Sequence, residues 1–127
     1  MNDSYNAYRS VDLHARANAA SPYQLVLVLF DGLLDELDRA RGHIQARRYE
    51  LKGRSLEKAM NILKALDGAL DHQQGGEVVE NLAQLYQYCI TQLCEVSASL
   101  STEGLDEVLF LLRELRQGWE SLHVAQS

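Results

Sequence analysis

Proline is nearly absent from this chain of 127 residues; Pro22 is the only one. Helix interiors are therefore free of their strongest breaker. β-branched residues are also few, while Leu, Ala, Glu, Gln and Arg abound, a balance that favours helix over strand. Cysteine is limited to Cys89 and Cys94. Five residues apart on a helix, these two lie on different faces and cannot bridge each other. Two buried, reduced thiols are expected, as suits a cytoplasmic protein. Basic charge is in deficit, 12 Lys and Arg against 18 Asp and Glu. An acidic chain of formal charge -6 is a poor ligand for nucleic acid, whose affinity comes from cations on phosphates. No apolar run approaches the roughly 20 residues of a membrane span, so no membrane insertion is expected. The start, MNDSYNAYRS, lacks the basic and apolar regions of a signal peptide. Glycine-rich phosphate loops, activated nucleophiles and paired-carboxylate signatures are missing too. Neither an enzyme nor a cofactor is expected.

What is present is helical periodicity. Residues 1–20 read as a polar arm or short helix carrying Tyr5 and Tyr8, and residues 21–127 as one domain. Ser21 suits an N-cap, Pro22 the first helical position and Gln24 a capping box. From there the spacing predicts a helix to about Ala46, with Val26, Phe30, Leu33, Leu37, Ala40 and Ile44 facing the core. A second helix is predicted over about 52–73, on Leu56, Ala59, Met60, Leu63, Leu66 and Leu70. Gly75-Gly76 is the clearest break. A third helix follows to about Leu100, on Val78, Leu82, Leu85, Cys89, Leu93, Val96 and Leu100. A fourth covers about 105–122, on Leu105, Val108, Leu112, Leu115, Trp119 and Leu122. Similar lengths and short connections imply an all-α, antiparallel up-and-down four-helix bundle.

Metal and phosphotransfer chemistry find little support. Glu120 and His123 form a Glu-x-x-His pair, but a di-iron bundle needs two such pairs and two more glutamates. His43 and His72 are the phosphotransfer candidates, and His72 is followed by Gln73-Gln74-Gly75 rather than by a lysine and a small residue one turn on. Solvated helix-end histidines are the plainer reading. The basic group Arg39, Arg41, Arg47, Arg48, Lys52 and Arg54 is interleaved with Asp35, Glu36, Asp38 and Glu50, as on an ordinary surface.

The unexplained feature is apolar excess. Leu25 to Phe30 is apolar all round the first helix, although one stripe would serve its core. Leu25, Val28 and Leu29 lie off that stripe. Ile62, Ala65 and Ala69 form a second line on helix two; Val79, Tyr86 and Ile90 flank helix three; Leu111 does so on helix four. For any one residue, a wide core or a dimer contact accounts for this. Together they suggest a partner surface of the kind that accepts amphipathic helices.

One ordered set of residues spans nearly the whole length. It runs through Tyr5, Tyr8-Arg9, Ser21-Pro22, Gln24-Leu25 and Leu29-Phe30-Asp31-Gly32. It continues through Lys52-Gly53, Leu56, Lys58-Ala59, Ile62, Leu70-Asp71 and Gly75-Gly76-Glu77. It closes with Asn81-Leu82, Leu85-Tyr86, Tyr88, Glu107-Val108, Leu111-Leu112 and Trp119. In this order and spacing the chain resembles the bacterial flagellin export chaperones of the FliS type. The resemblance implies a cytoplasmic, non-enzymatic four-helix bundle. Such a protein binds the disordered C-terminal segment of flagellin, blocks premature polymerisation and delivers the subunit to the gate of the flagellar type III export apparatus. It implies that the arm rests on part of the client surface in the free protein. Tyr5, Tyr8 and the off-stripe residues above are the expected flagellin contacts. A phosphotransfer bundle and a structural homodimer stand as alternatives, and a homodimer of the free chaperone stays open.

Overall fold

The computed structural model describes the backbone of residues 22–126 and the side chains of residues 23–121. The expected arm, with Tyr5 and Tyr8, lies outside the described residues, as do the Ser21 cap and the side chains of Leu122 and His123. Among the described residues the fold is four helices: α1 (Pro22–Gln45), α2 (Tyr49–Gly68), α3 (Gly76–Ala98) and α4 (Glu103–Gln126). Helix α1 packs on α2 and α4, and α3 packs on the same two, while neither diagonal pair approaches closely. The result is the antiparallel up-and-down bundle that the short connections imply. Phe30, Leu33, Leu37, Leu56, Leu63, Leu93, Leu105 and Leu112 fill its axis, each essentially without solvent contact. At about 1.5–3 kcal/mol per fully buried large side chain, this core dominates stability. Three ion pairs set the α1–α4 register: Arg41–Asp106 at 2.7 Å, Arg113–Asp38 at 2.9 Å and Arg116–Asp31 at 2.8 Å. They are partly solvated, so each contributes about 0–1 kcal/mol.

The helix ends are built by local chemistry. Helix α1 closes in a Schellman motif: Arg48 N–H donates to His43 O at 2.8 Å and Arg47 N–H to Ile44 O at 3.1 Å. Arg47 occupies the left-handed position at φ 59°, where glycine is usual. Helix α2 stops at Gly68, five residues before the expected end. The Asp71 carboxylate accepts from the N–H groups of Gln73 and Gln74, at 3.1 and 3.2 Å, and so diverts the chain into a turn. Both glycines that follow are required. A Cβ on Gly75 would lie 1.7 Å from Val79 Cγ2, and Gly76 has φ 55°. Helix α4 begins at Glu103, two residues early, because Thr102 O accepts from Asp106 N–H and Ser101 Oγ from Glu103 N–H.

Several residues sit where periodicity alone does not put them. Val78 and Leu100, expected in the core, are exposed: Val78 lies in the first turn of α3, and Leu100 falls past its end in the turn to α4. Cys94 is exposed rather than buried; its Sγ lies 3.6 Å from Met60 Sδ. Lys52, expected on a solvated basic face, is only 4% exposed. Its Nζ donates to Ser99 O at 2.8 Å, Ser97 O at 3.1 Å and Val96 O at 3.4 Å. The ammonium thus caps the negative end of α3, whose last carbonyls lack intrahelical partners. Leu109, left off the expected stripe, joins the core.

Candidate partner-binding surface

At the end of the bundle where α1 and α3 begin, the four helices surround a partly open apolar cavity of about 100 Å³. Val26 and Phe30 of α1 form one wall, Leu66 of α2 the next, Tyr86 of α3 and Trp119 of α4 the others, with Ala69 at the margin. Tyr23 and Trp119 stack beside it, ring centroids 5.7 Å apart and planes 8° from parallel. Trp119 Nε1 donates to Tyr23 O at 3.4 Å, tying the end of α4 to the start of α1. Polar satisfaction is incomplete next to Tyr86: Asp67 Oδ1 is buried with no hydrogen-bond partner. An orphaned buried acceptor costs about 1–3 kcal/mol. Burial and this nearby carboxylate push the Tyr86 phenol up to about 12.

The expected contacts divide among three seams. On α1, Leu25 and Leu29 share the flank that faces α2, opposite the flank whose Asp31 and Asp38 pair with α4. Ile62 and Ala65 of α2, with Ala69 just past its end, lie across the core stripe from Met60, which meets α3 through Cys94. They therefore face α1. These five form one continuous strip, with Ala65 and Ala69 exposed and the other three half-buried. Ala69 also borders the cavity, so strip and cavity are one surface. Ile90 lies apart on the α2–α3 seam with Cys94, and Leu111 on the α3–α4 seam, and both are half-buried.

Three residues expected on an open flank are buried. Tyr86 belongs to the core, because α3 turns it between α2 and α4 above the cavity. Val79 folds back over Gly75 at the α2–α3 turn. Val28 is 7% exposed without joining the central cluster. The cavity itself escaped periodicity. Its walls, Val26, Phe30, Leu66 and Trp119, read as ordinary core positions, and only the space left between them distinguishes them.

Among the described residues, no group of three or more His, Cys, Asp or Glu side chains gathers as a metal site. Glu120 pairs with Arg116 at 2.9 Å, and His72 sits exposed in the α2–α3 turn. No helix of the described residues is long and apolar enough to cross a membrane.

An all-helical bundle with an open apolar end and an apolar seam offers a surface of the kind on which amphipathic segments dock. The family model described as flagellar protein FliS matches residues 4–126. The chain is 38% identical over 115 residues to flagellar secretion chaperone FliSB of Pseudomonas aeruginosa, covering 91% of each. It is 35% identical over 117 residues to flagellar secretion chaperone FliS of Salmonella typhimurium, covering 91% of this chain and 87% of that one. The corresponding protein of Vibrio cholerae is 30% identical over 122 residues, 96% of this chain and 90% of its own. The chain belongs to the FliS family of flagellar secretion chaperones, whose named members are chaperones and not enzymes.

Proposed function

We propose that this protein is a cytosolic export chaperone for flagellin. It holds the C-terminal segment of flagellin in unpolymerised form and delivers it to a component of the flagellar type III export gate. The observation that carries the reading is the continuity of the open cavity with the α1–α2 seam of Leu25, Leu29, Ile62, Ala65 and Ala69. A disordered client must offset its ordering cost through broad apolar burial. One anchor side chain seated in the cavity contributes about 1.5–3 kcal/mol, and the seam adds further apolar area. Release needs no chemical step; competition at the gate suffices.

The test is titration of a flagellin C-terminal peptide, followed by emission of Trp119, the only tryptophan and a wall of the cavity. Ile62→Asp is expected to weaken binding at least tenfold while circular dichroism stays helical. Ile90→Asp, on the other side of α2, is expected to weaken it less. Unchanged affinity in Ile62→Asp moves the client off this seam.

A further inference from the structure

The formal charge of -6 is unevenly placed. Residues 22–75 carry eight acidic and eight basic side chains, whereas residues 76–127 carry eight acidic side chains and only Arg113 and Arg116. Both arginines point at α1, on Asp38 and Asp31. The outer face of the α3–α4 hairpin is therefore left without a cation. Glu103, Glu107, Phe110 and Glu114 follow each other at spacings of four, three and four along α4, on one face. Across from them on α3, Tyr88, Gln92 and Glu95 do the same, and Tyr88 Oη donates to Glu107. Between the two rows runs a groove of about 320 Å³ whose walls include Glu95, Glu103 and Glu107. Large apolar side chains stand open at its edges: Phe110 is 63% exposed, and Leu100, in the turn that closes the groove, 70%. Two cations of other helices border this region and both are committed: the Lys52 Nζ donates to three carbonyls, and Arg41 of α1 pairs with Asp106.

We infer that the α3–α4 groove is a second docking surface, for a cationic amphipathic segment of a partner protein whose Lys or Arg side chains meet Glu95, Glu103 and Glu107 and whose apolar residues cover Phe110 and Leu100. Carboxylates that share one groove without a cation repel one another and are relieved by a cationic partner, which the same field attracts. Exposed aromatic and leucine side chains within that field mark a contact and not merely a solubilising charge. The groove lies at the opposite end from the apolar cavity, roughly 15–20 Å along the bundle at 1.5 Å per residue. Client and second partner can be held together. The inference goes beyond the chaperone reading and does not depend on it.

The probe is a synthetic 15-residue helical peptide with lysines on one face and leucines on the other, titrated against the full chain by calorimetry. Glu95→Gln, Glu103→Gln and Glu107→Gln combined are expected to weaken binding about tenfold at low salt and to flatten its salt dependence. The equal neutralisation Glu57→Gln, Glu77→Gln and Glu80→Gln, outside the groove, is expected to change it less than about twofold. Phe110→Ser is expected to weaken binding with its salt dependence kept. Equal effects of the two triple variants, or indifference to Phe110→Ser, reduce the attraction to overall charge and overturn the inference. Displacement of the probe by a flagellin C-terminal peptide overturns it as well, since the groove is then client surface. A flagellin peptide that does not bind, beside a probe that binds as described, defeats the chaperone reading alone.

Discussion

Replacing Lys52 by methionine removes the cap of α3 while keeping most of the buried stem. Val96 O retains the backbone N–H of Ser99, at 3.2 Å. Ser97 O and Ser99 O lose the Nζ that donates to them. An orphaned buried carbonyl costs about 1–3 kcal/mol, and water reaches these two in part, so the pair falls at the low end. Loss of the charge from the helix C-terminus adds about 0.3–1 kcal/mol. The ammonium also sits 5.5 Å from the centre of the Tyr49 ring, a further contact that methionine forgoes. Desolvating the ammonium offsets part of the gain, and the sum is a destabilisation of about 2–3 kcal/mol. In urea denaturation followed by circular dichroism, the midpoint falls while the slope is unchanged. Lys64→Met, on an exposed position of the same helix, is expected to stay within about 0.5 kcal/mol. A Lys52→Met loss no larger than that control refutes the capping argument.

Four further outcomes follow from the geometry. Arg47→Gly relieves a left-handed residue and should raise stability by up to about 1 kcal/mol, read as a higher melting temperature. Gly53→Ala and Gly118→Ala, where an added Cβ meets nothing within 4 Å, should each add about 0.5–1 kcal/mol. Native protein should expose one thiol to a maleimide, Cys94, while Cys89, buried with its thiol pushed up to about 11, reacts only in denaturant. Burial and Arg48 lower the pKa of His43, so its folded form resists protonation. Its contribution is therefore present above the unfolded pKa of about 6.5 and is lost as pH falls through the lower folded value. A urea midpoint that declines from pH 7 to 5, less steeply in His43→Gln, is the expected result.

The four helices were legible because Phe30, Leu33, Leu37, Leu56, Leu63, Leu93 and Leu112 recur at helical spacing and the structure buries them all. Helix ends were less so. The Asp71 carboxylate takes the N–H groups of Gln73 and Gln74, and this local bonding outweighs the helix propensity of the residues around it. Lys52 was misplaced because charge ordinarily marks a surface, and only the end of α3, distant in sequence, makes its burial tolerable. The apolar excess was visible, but its division among seams depends on which helix neighbours which. Ile62 and Ile90 look alike in sequence and lie on opposite sides of α2. The cavity is assembled from helix ends far apart in the chain, which no local window contains.

The proposed role of this bundle is to keep flagellin unpolymerised by holding its C-terminal segment. The most direct measurement is light scattering of full-length flagellin seeded to polymerise, with and without an equimolar amount of this protein, followed by sizing of the mixture. Suppressed filament growth and a one-to-one complex are the predicted result. Filament growth at the unassisted rate, with the two proteins eluting separately, contradicts it.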